Sequence, residues 1–326
     1  MAELAEHGER VIVGAGDDAA VVRSRPFAVT SVDTVVDGVH FRLAAGWPSA
    51  YDIGWRALAA ALSDIAAMGA DAGEAYVSLG LPSGFGEQQA LELMRGAHDL
   101  ARRMGATIAG GDIVRSPALF VSAAAVGWTD DADRLVTRAG ARVGERVAVT
   151  GCLGAAAGAL AMLETADSGV LSPQAPSPGS RLAELLMERH RRPAPRLLEG
   201  RALAAAGASA MIDLSDGIAS DAEQIGLASG VRLRIELSAL PLAPGLESVA
   251  RSAGLDALDM AASGGEDYEL CICAPPDRCA PLERALADCP ERSLTWVGEV
   301  VAGPPGASLV DRDGADRPLR GFEHRW

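Results

Sequence analysis

Along the first half of the chain, short apolar runs alternate with longer stripes of helical period. Runs at 10–13, 27–32, 74–81, 107–111 and 119–127 are β-branched or apolar and bounded by Gly, Pro or Asp, which predicts strands. Between them, WRALAAALSDIAAMG after Pro48 predicts a helix to about Met68. A second helix is predicted from Glu87 to Met104, with Leu91, Met94, Leu100 and Met104 on one apolar stripe. The second half opens on the strand RVAVTG at 146–151 and continues with helices near 154–164, 181–190, 196–206 and 217–229. Strands near 209–213, 231–236, 268–273 and 294–301 alternate with them. The pattern predicts an α/β protein with layered helices and sheets (α+β in its layering), in two domains over residues 1–142 and 143–326. SGVLSPQAPSPGS, 168–180, is flanked by helical patterns and reads as a surface loop within the second domain.

Charge narrows the partners. Against 44 acidic residues there are 29 basic ones, a net charge of −15, and such a field repels nucleic acid and anionic membranes. An anionic substrate must then be met by bound cations or by local arginine. All 29 basic residues are Arg; the chain has neither Lys nor Asn. That excludes a Walker A loop, a Schiff-base lysine and the protein-kinase catalytic set. The five cysteines include no C-x-x-C pair, so neither a disulfide framework nor a zinc site is expected, and Cys271 and Cys273 should share one face of a strand. No apolar run approaches the ~18 residues of a membrane span, and no signal peptide is read at the start, so the expected location is a reducing cytoplasm.

The chemistry-bearing feature is a set of Asp residues beside Gly or Ser where apolar runs end. They are Asp17 and Asp18 in GAGDDAAVV, Asp33 in TSVDTVVDGVHF, Asp64 in AALSDIAAMGAD, Asp112 in IAGGDIVRS, and Asp213 and Asp216 in MIDLSDG. Any one alone is more simply a cap or turn residue. Asp64 is harder to dismiss, because it interrupts an Ala-rich helical stretch where Asp has poor propensity. Asp112 follows two glycines that let a ligand approach the backbone. Oxygen-only donors suit a hard cation, and Mg²⁺ with a nucleotide is the sharp reading. Other candidates carry competing bland readings: TGCLGAAAG at 150–158 could cradle phosphate or merely pack closely, Arg138 could be a surface arginine, and Glu266, Asp267 and Glu269 in SGGEDYEL could serve a turn. Among the five His residues, His40 is the best candidate for a polar contact; His7, His98, His190 and His324 read as surface residues.

Taken together, GDDAAVV, SVDTVVDGVHF, ALSDIAAMGAD, GGDIVRSP, LVTRAGARVGERVAVTG, RPAPRL, MIDLSDGIASD, SGGEDYEL and GFEHRW stand in the order of the thiamine-monophosphate kinase family. The resemblance covers nearly the whole chain. The sequence is similar more widely to the ATP-dependent superfamily of aminoimidazole ribonucleotide synthetase, which lacks a P-loop. The resemblance implies a homodimer of two-domain chains whose N-terminal sheets join, with ATP in a cleft among the acidic loops. It also implies phosphorylation of thiamine monophosphate to thiamine diphosphate. Carried over by position, the Mg²⁺ ligands would be Asp18, Ser31, the Val32 carbonyl, Asp33, Asp64, Asp112, Asp213 and Asp216. ATP would be met by Gly111, Asp112, Arg138 and Ser215, and the thiamine phosphate by His40, Glu266 and Phe322. The family commonly has a hydroxyl residue where this chain has Val32, so only the backbone oxygen could serve there.

No general base is required of such a reaction. A phosphate monoester has its second pKa near ~6, so the attacking oxygen is already ionised at neutral pH, and the difficulty is repulsion between anions. Catalysis is then electrostatic, with no catalytic side chain besides the Mg²⁺ ligands and Arg138. Rival readings are another enzyme of the superfamily and a noncatalytic relative. A selenophosphate synthetase would need a reactive Cys in its N-terminal loop, where the first Cys here is Cys152, and a hydrogenase maturation factor ends in Cys where this chain ends in Trp326.

Overall fold

The structure, a computed structural model, describes residues 9–43, 47–168, 179–289 and 293–322. The chain divides into two compact units, one of Met1–Ala66 with Ala70–Leu135 and one of Ala67–Gly69 with Val136–Trp326. The loop expected at 168–180 and the end of GFEHRW, with His7 and His324, lie almost wholly outside the described residues.

In the first unit, β1 (Val11–Val13) pairs with β2 (Val21–Val22), and a four-stranded sheet holds β3 (Phe27–Val36), β4 (Asp71–Leu81), β5 (Thr107–Arg115) and β6 (Phe120–Thr129) in the order β3-β6-β4-β5. Only β4 and β5 run parallel, joined by the helical crossover that parallel strands require. Helix α1 (Ala50–Ala67) is buried on nearly every side and α2 (Glu87–Met104) along one apolar stripe, and Ile53, Ala57, Leu93 and Met94 share a core with Val35, Val77, Leu79 and Val121 of the sheet. Gln89 Oε1 accepts the Gly86 N–H at 3.0 Å at the start of α2, and Gly105 ends it at φ 73°. β3 runs four residues beyond the predicted 27–32, because VDTVV continues the alternation whose partners on β6 complete the ladder to Phe120.

The second unit is built on a mostly antiparallel six-stranded sheet. Its strands are β7 (Arg146–Thr150), β8 (Ala210–Asp213), β9 (Arg232–Glu236), β10 (Leu270–Ala274), β11 (Leu294–Val301) and β12 (Gly306–Val310), ordered β12-β9-β11-β7-β10-β8. Helices α3 (Ala155–Ser168), α4 (Arg181–Arg191), α5 (Leu197–Ala206), α6 (Ile218–Ser229), α7 (Leu246–Ala253), α8 (Ala257–Ser263) and α9 (Cys279–Ala285) accompany it. The three shortest helices and β12 have no counterpart in the sequence reading, since runs of five to eight residues carry too few turns for a period to show. Cys271 and Cys273 do share a buried strand, and burial pushes the Cys271 thiol up to about 12. Their packing is that of small apolar residues.

Candidate functional site

Alternation along β3 sorts the first unit's candidates. Ser31, Asp33 and Val35 face α1, whereas Thr30, Val32 and Thr34 are exposed on the opposite face. Asp64 lies on α1, and the Ser31 hydroxyl donates to Asp64 Oδ2 while standing 3.4 Å from Asp33 Oδ2. Three oxygen donors from two elements thus converge. The Val32 side chain turns away from them, leaving only its carbonyl as a candidate ligand.

Gly111 stands in the register row of Val77, Ala123 and Asp33, while Asp112 falls in the row of Ser78, Ser122 and Thr34. Asp112 accepts the N–H of Ile113 at 2.8 Å on the exposed strand. Gly111 has a packing reason to be glycine, since a Cβ there would stand 2.0 Å from the Val77 carbonyl oxygen. Asp18 is exposed in the loop after β1, its backbone N–H on Asp17 Oδ1. His40 accepts the Val36 N–H on Nδ1 at 3.1 Å, which puts the proton of the neutral ring on Nε2.

In the second unit the segment Leu214–Asp216 is a hub. Its Leu214 N–H donates to the Glu269 carbonyl at 2.7 Å, and the Leu214 carbonyl accepts from Tyr268 N–H at 2.9 Å. The Ser215 carbonyl accepts from Glu266 N–H at 2.8 Å, and that of Asp216 accepts from Phe322 N–H at 2.9 Å. One short loop therefore gathers four predicted residues, Ser215, Asp216, Glu266 and Phe322, with Asp213 ending the strand before it. Tight apposition explains the glycines of both motifs: a Cβ on Gly265 would meet the Ser215 carbonyl oxygen at 2.4 Å, and Gly217 adopts φ 101° beside the backbone of 262–264. Arg138 is exposed, and its carbonyl accepts from Ser229 Oγ at 2.8 Å.

Sequence reasoning passed over Asp221, although it closes the quoted MIDLSDGIASD. It is buried at 4% exposure and its Oδ2 accepts the Asp216 N–H at 3.1 Å. Burial, then the charges of Asp213 and Asp216, push its carboxyl up to about 8. Helical spacing was the missed signal, because Asp221 lies within the first turn of the helix that the motif opens. The TGCLG turn takes its packing reading: Asp267 carboxylate oxygens accept the N–H groups of Gly154 at 2.7 Å and Ala155 at 3.1 Å, so a protein carboxylate occupies the start of α3.

Every donor in the two acidic sets is a carboxylate or hydroxyl oxygen, which fits a hard cation such as Mg²⁺. Among the described residues no group of three or more His, Cys, Asp or Glu side chains is assembled as a metal cage. The donor chemistry fits an ion that keeps several waters and leans on substrate phosphates.

Fold and site together define a class. Residues 16–129 match the family of AIR synthase related protein, N-terminal domain, and 142–311 match that of its C-terminal domain. A thiamine-monophosphate kinase of Halobacterium salinarum is 36% identical over 295 residues, covering 90% of either chain. The solved thiamine-monophosphate kinase from Stenotrophomonas maltophilia superposes with a TM-score of 0.82 at 34% identity, over 95% of this chain and 93% of that one. AaThiL complexed with AMPPCP and TMP superposes at 0.78 with 28% identity, over 91% and 87% of the two chains. Within the AIR synthase related proteins, this chain belongs to the thiamine-monophosphate kinase family.

Proposed function

We propose that this chain transfers the γ-phosphate of ATP to the phosphate of thiamine monophosphate, giving ADP and thiamine diphosphate. The observation that carries the reading is the hub at Leu214–Asp216, whose backbone binds the Glu266 and Phe322 segments at 2.8 and 2.9 Å. Ser215, proposed for ATP, is thereby bonded to Glu266 and adjoins the residue bonded to Phe322, two of the three residues proposed for the acceptor. The complex of AaThiL with AMPPCP and TMP supports the same substrate pair.

In this mechanism the bond between the γ-phosphorus and the ADP oxygen breaks as a bond to an acceptor phosphate oxygen forms, with no phosphorylated side chain between. Asp18, Ser31, the Val32 carbonyl, Asp33, Asp64, Asp112, Asp213 and Asp216 are the oxygens proposed to hold Mg²⁺. The bound ions would neutralise charge on the transferring group. Arg138 and the Gly111 backbone are proposed ATP contacts, a guanidinium being suited to fork onto phosphate. His40 offers its Nε2–H to the acceptor, and Glu266 offers a carboxylate to its cationic ring system. The exposed Phe322 ring offers a stacking face.

A homodimer is part of this proposal. Ala28, Thr30, Val32 and Thr34 are exposed on the sheet face that α1 and α2 leave uncovered, and Val32 alone is 64% exposed. A second copy joining through this face accounts for such a residue mid-strand. A cytoplasmic site of action is likewise proposed; among the described residues no helix is long and apolar enough to cross a membrane.

The test is ADP release from ATP and Mg²⁺ with thiamine monophosphate, thiamine or aminoimidazole precursors as separate acceptors, the product being identified by chromatography. Thiamine diphosphate formed from the monophosphate alone is the expected result, and Asp64→Asn should lower the rate about a hundredfold or more. Turnover with a different acceptor, or detection of a phosphorylated residue, would overturn the reading.

A further inference from the structure

RPAPRL is a motif to which the proposed mechanism gives no task, yet its Arg196 is 1% exposed. The guanidinium forks onto Glu269, itself 0% exposed, with Nε 2.7 Å from Oε2 and Nη2 bonded to Oε1. The Thr150 hydroxyl donates to the same Oε2 at 2.8 Å and accepts the Leu270 N–H at 2.8 Å. Arg189 on α4 adds a contact of 3.3 Å to Oε1. Three separated segments therefore meet on one carboxylate. Stability alone is a poor explanation, because well-packed apolar residues commonly replace a buried ion pair without loss.

What the pair does is fix a loop in an unfavourable shape. Just before Glu269, Glu266 and Tyr268 both lie in the left-handed region, at φ 65° and 50°, where non-glycine residues persist only when their surroundings over-determine them. Each residue from Glu266 to Glu269 is anchored. Glu266 and Tyr268 bond by backbone to Ser215 and Leu214, Asp267 bonds to the start of α3, and Glu269 bonds to Arg196 and Thr150. His190 of α4, read as a surface residue in the sequence, is instead 6% exposed and faces the Glu266 side chain, Nδ1 standing 3.8 Å from Oε2.

We propose that Arg196 and Glu269 are positioning residues for Glu266: their buried fork holds the SGGEDYEL loop so that the Glu266 carboxylate is aimed at the acceptor. The inference rests on the proposed role of Glu266 as an acceptor contact. It gives the RPAPRL motif a function in acceptor binding without any contact to the substrate.

The test is a double-mutant cycle in the full chain. Arg196→Met with Glu269→Leu keeps the volume and removes the directional bonds, and Glu266→Ala removes the group being aimed. Expected is a rise of about tenfold in KM for thiamine monophosphate with KM for ATP within about twofold, and loss of that effect in the Glu266→Ala background. Where the paired replacement fails to fold, Arg196→Lys enters the same cycle, keeping the charge while losing the fork. An unchanged KM for thiamine monophosphate overturns the inference, as does an effect that persists undiminished without Glu266. Those outcomes leave the proposed function standing provided Glu266→Ala by itself weakens the acceptor. A flat response to Glu266→Ala, or a wild-type chain inert toward thiamine monophosphate, removes that reading and this inference together.

Discussion

Replacing Gly96 by alanine should destabilise the first unit, against the ordinary preference of helices for alanine. In an exposed helix interior the exchange gains up to about 1 kcal/mol. Here α2 crosses α1 glycine to glycine: a Cβ on Gly96 would stand 1.9 Å from the Tyr51 carbonyl oxygen, and one on Gly54 would stand 1.8 Å from that of Leu93. Opening 1.9 Å to an ordinary 3.4 Å contact parts the helices by about 1.5 Å. A gap of 0.5 to 1 Å already forfeits between roughly a quarter and a half of a dispersion contact. Ile53, Leu93 and Met94 are buried at this crossing, and at about 2 kcal/mol each they would lose about 3 kcal/mol. The net is a loss of about 2 kcal/mol, within the range for overpacked cores. Calorimetry should show the unfolding transition of this unit lowered by roughly 4 to 8 °C. Because α1 carries Asp64 to its contact with Ser31, kinase activity should fade at a correspondingly lower temperature. An unchanged or raised transition for Gly96→Ala would refute the steric argument and leave helix propensity in control.

Two other outcomes are expected. In the absence of divalent cations, unfolding free energy should fall as pH rises from about 5 to 7, with Asp221 contributing up to about 1.4 kcal/mol per pH unit beside a contribution of the same sign from Asp267, whose carboxyl is pushed by desolvation up to about 7. The sign follows from Asp221, whose carboxyl titrates at about 8 when folded and near ~4 when unfolded, so the native state holds the extra proton throughout that window. Asp221→Asn should remove its share and lessen the slope in urea titrations at successive pH values, and a slope unchanged in the variant would refute the assignment. Val32→Arg, at a 64% exposed position on the open sheet face, should shift sedimentation toward monomer with the melting temperature held within about 2 °C. An unaltered sedimentation coefficient would exclude this face as the interface.

How much was legible in the sequence can be read from particular elements. α2 declared itself because eighteen residues give five turns of one apolar stripe, and α1 because eighteen Ala-rich residues, apolar on nearly every side, are too long for a strand. The alternation in TSVDTVV would have separated Ser31 and Asp33 from Val32, but the sequence reading ended the strand at 32, so the two faces were told apart only when β3 was seen to run to Val36. Asp64 was conspicuous because a carboxylate in an Ala-rich helix breaks a local rule, and such breaks mark functional positions. The absence of Lys and the −15 charge restricted the chemistry before any fold was considered. Within the second unit, Asp213 and Asp216 stood out by their glycine and hydroxyl neighbours, whereas Ser215 came from the family resemblance alone.

Tertiary structure alone decided what those residues meet. Asp267 caps a helix that starts 112 residues earlier, and Glu269 meets Arg196 across 73. Neither separation leaves a periodic trace, since a contact made by chain reversal depends on strand order and not on spacing. The predominance of antiparallel pairs was hidden for the same reason, because alternating strands and helices are compatible with either direction. Asp221 was passed over in the sequence, and its proton affinity depends on burial and on two neighbouring carboxylates. Local periodicity fixes which side of an element a residue occupies, whereas the packing of distant elements fixes its neighbours, its dielectric surroundings and hence its chemistry.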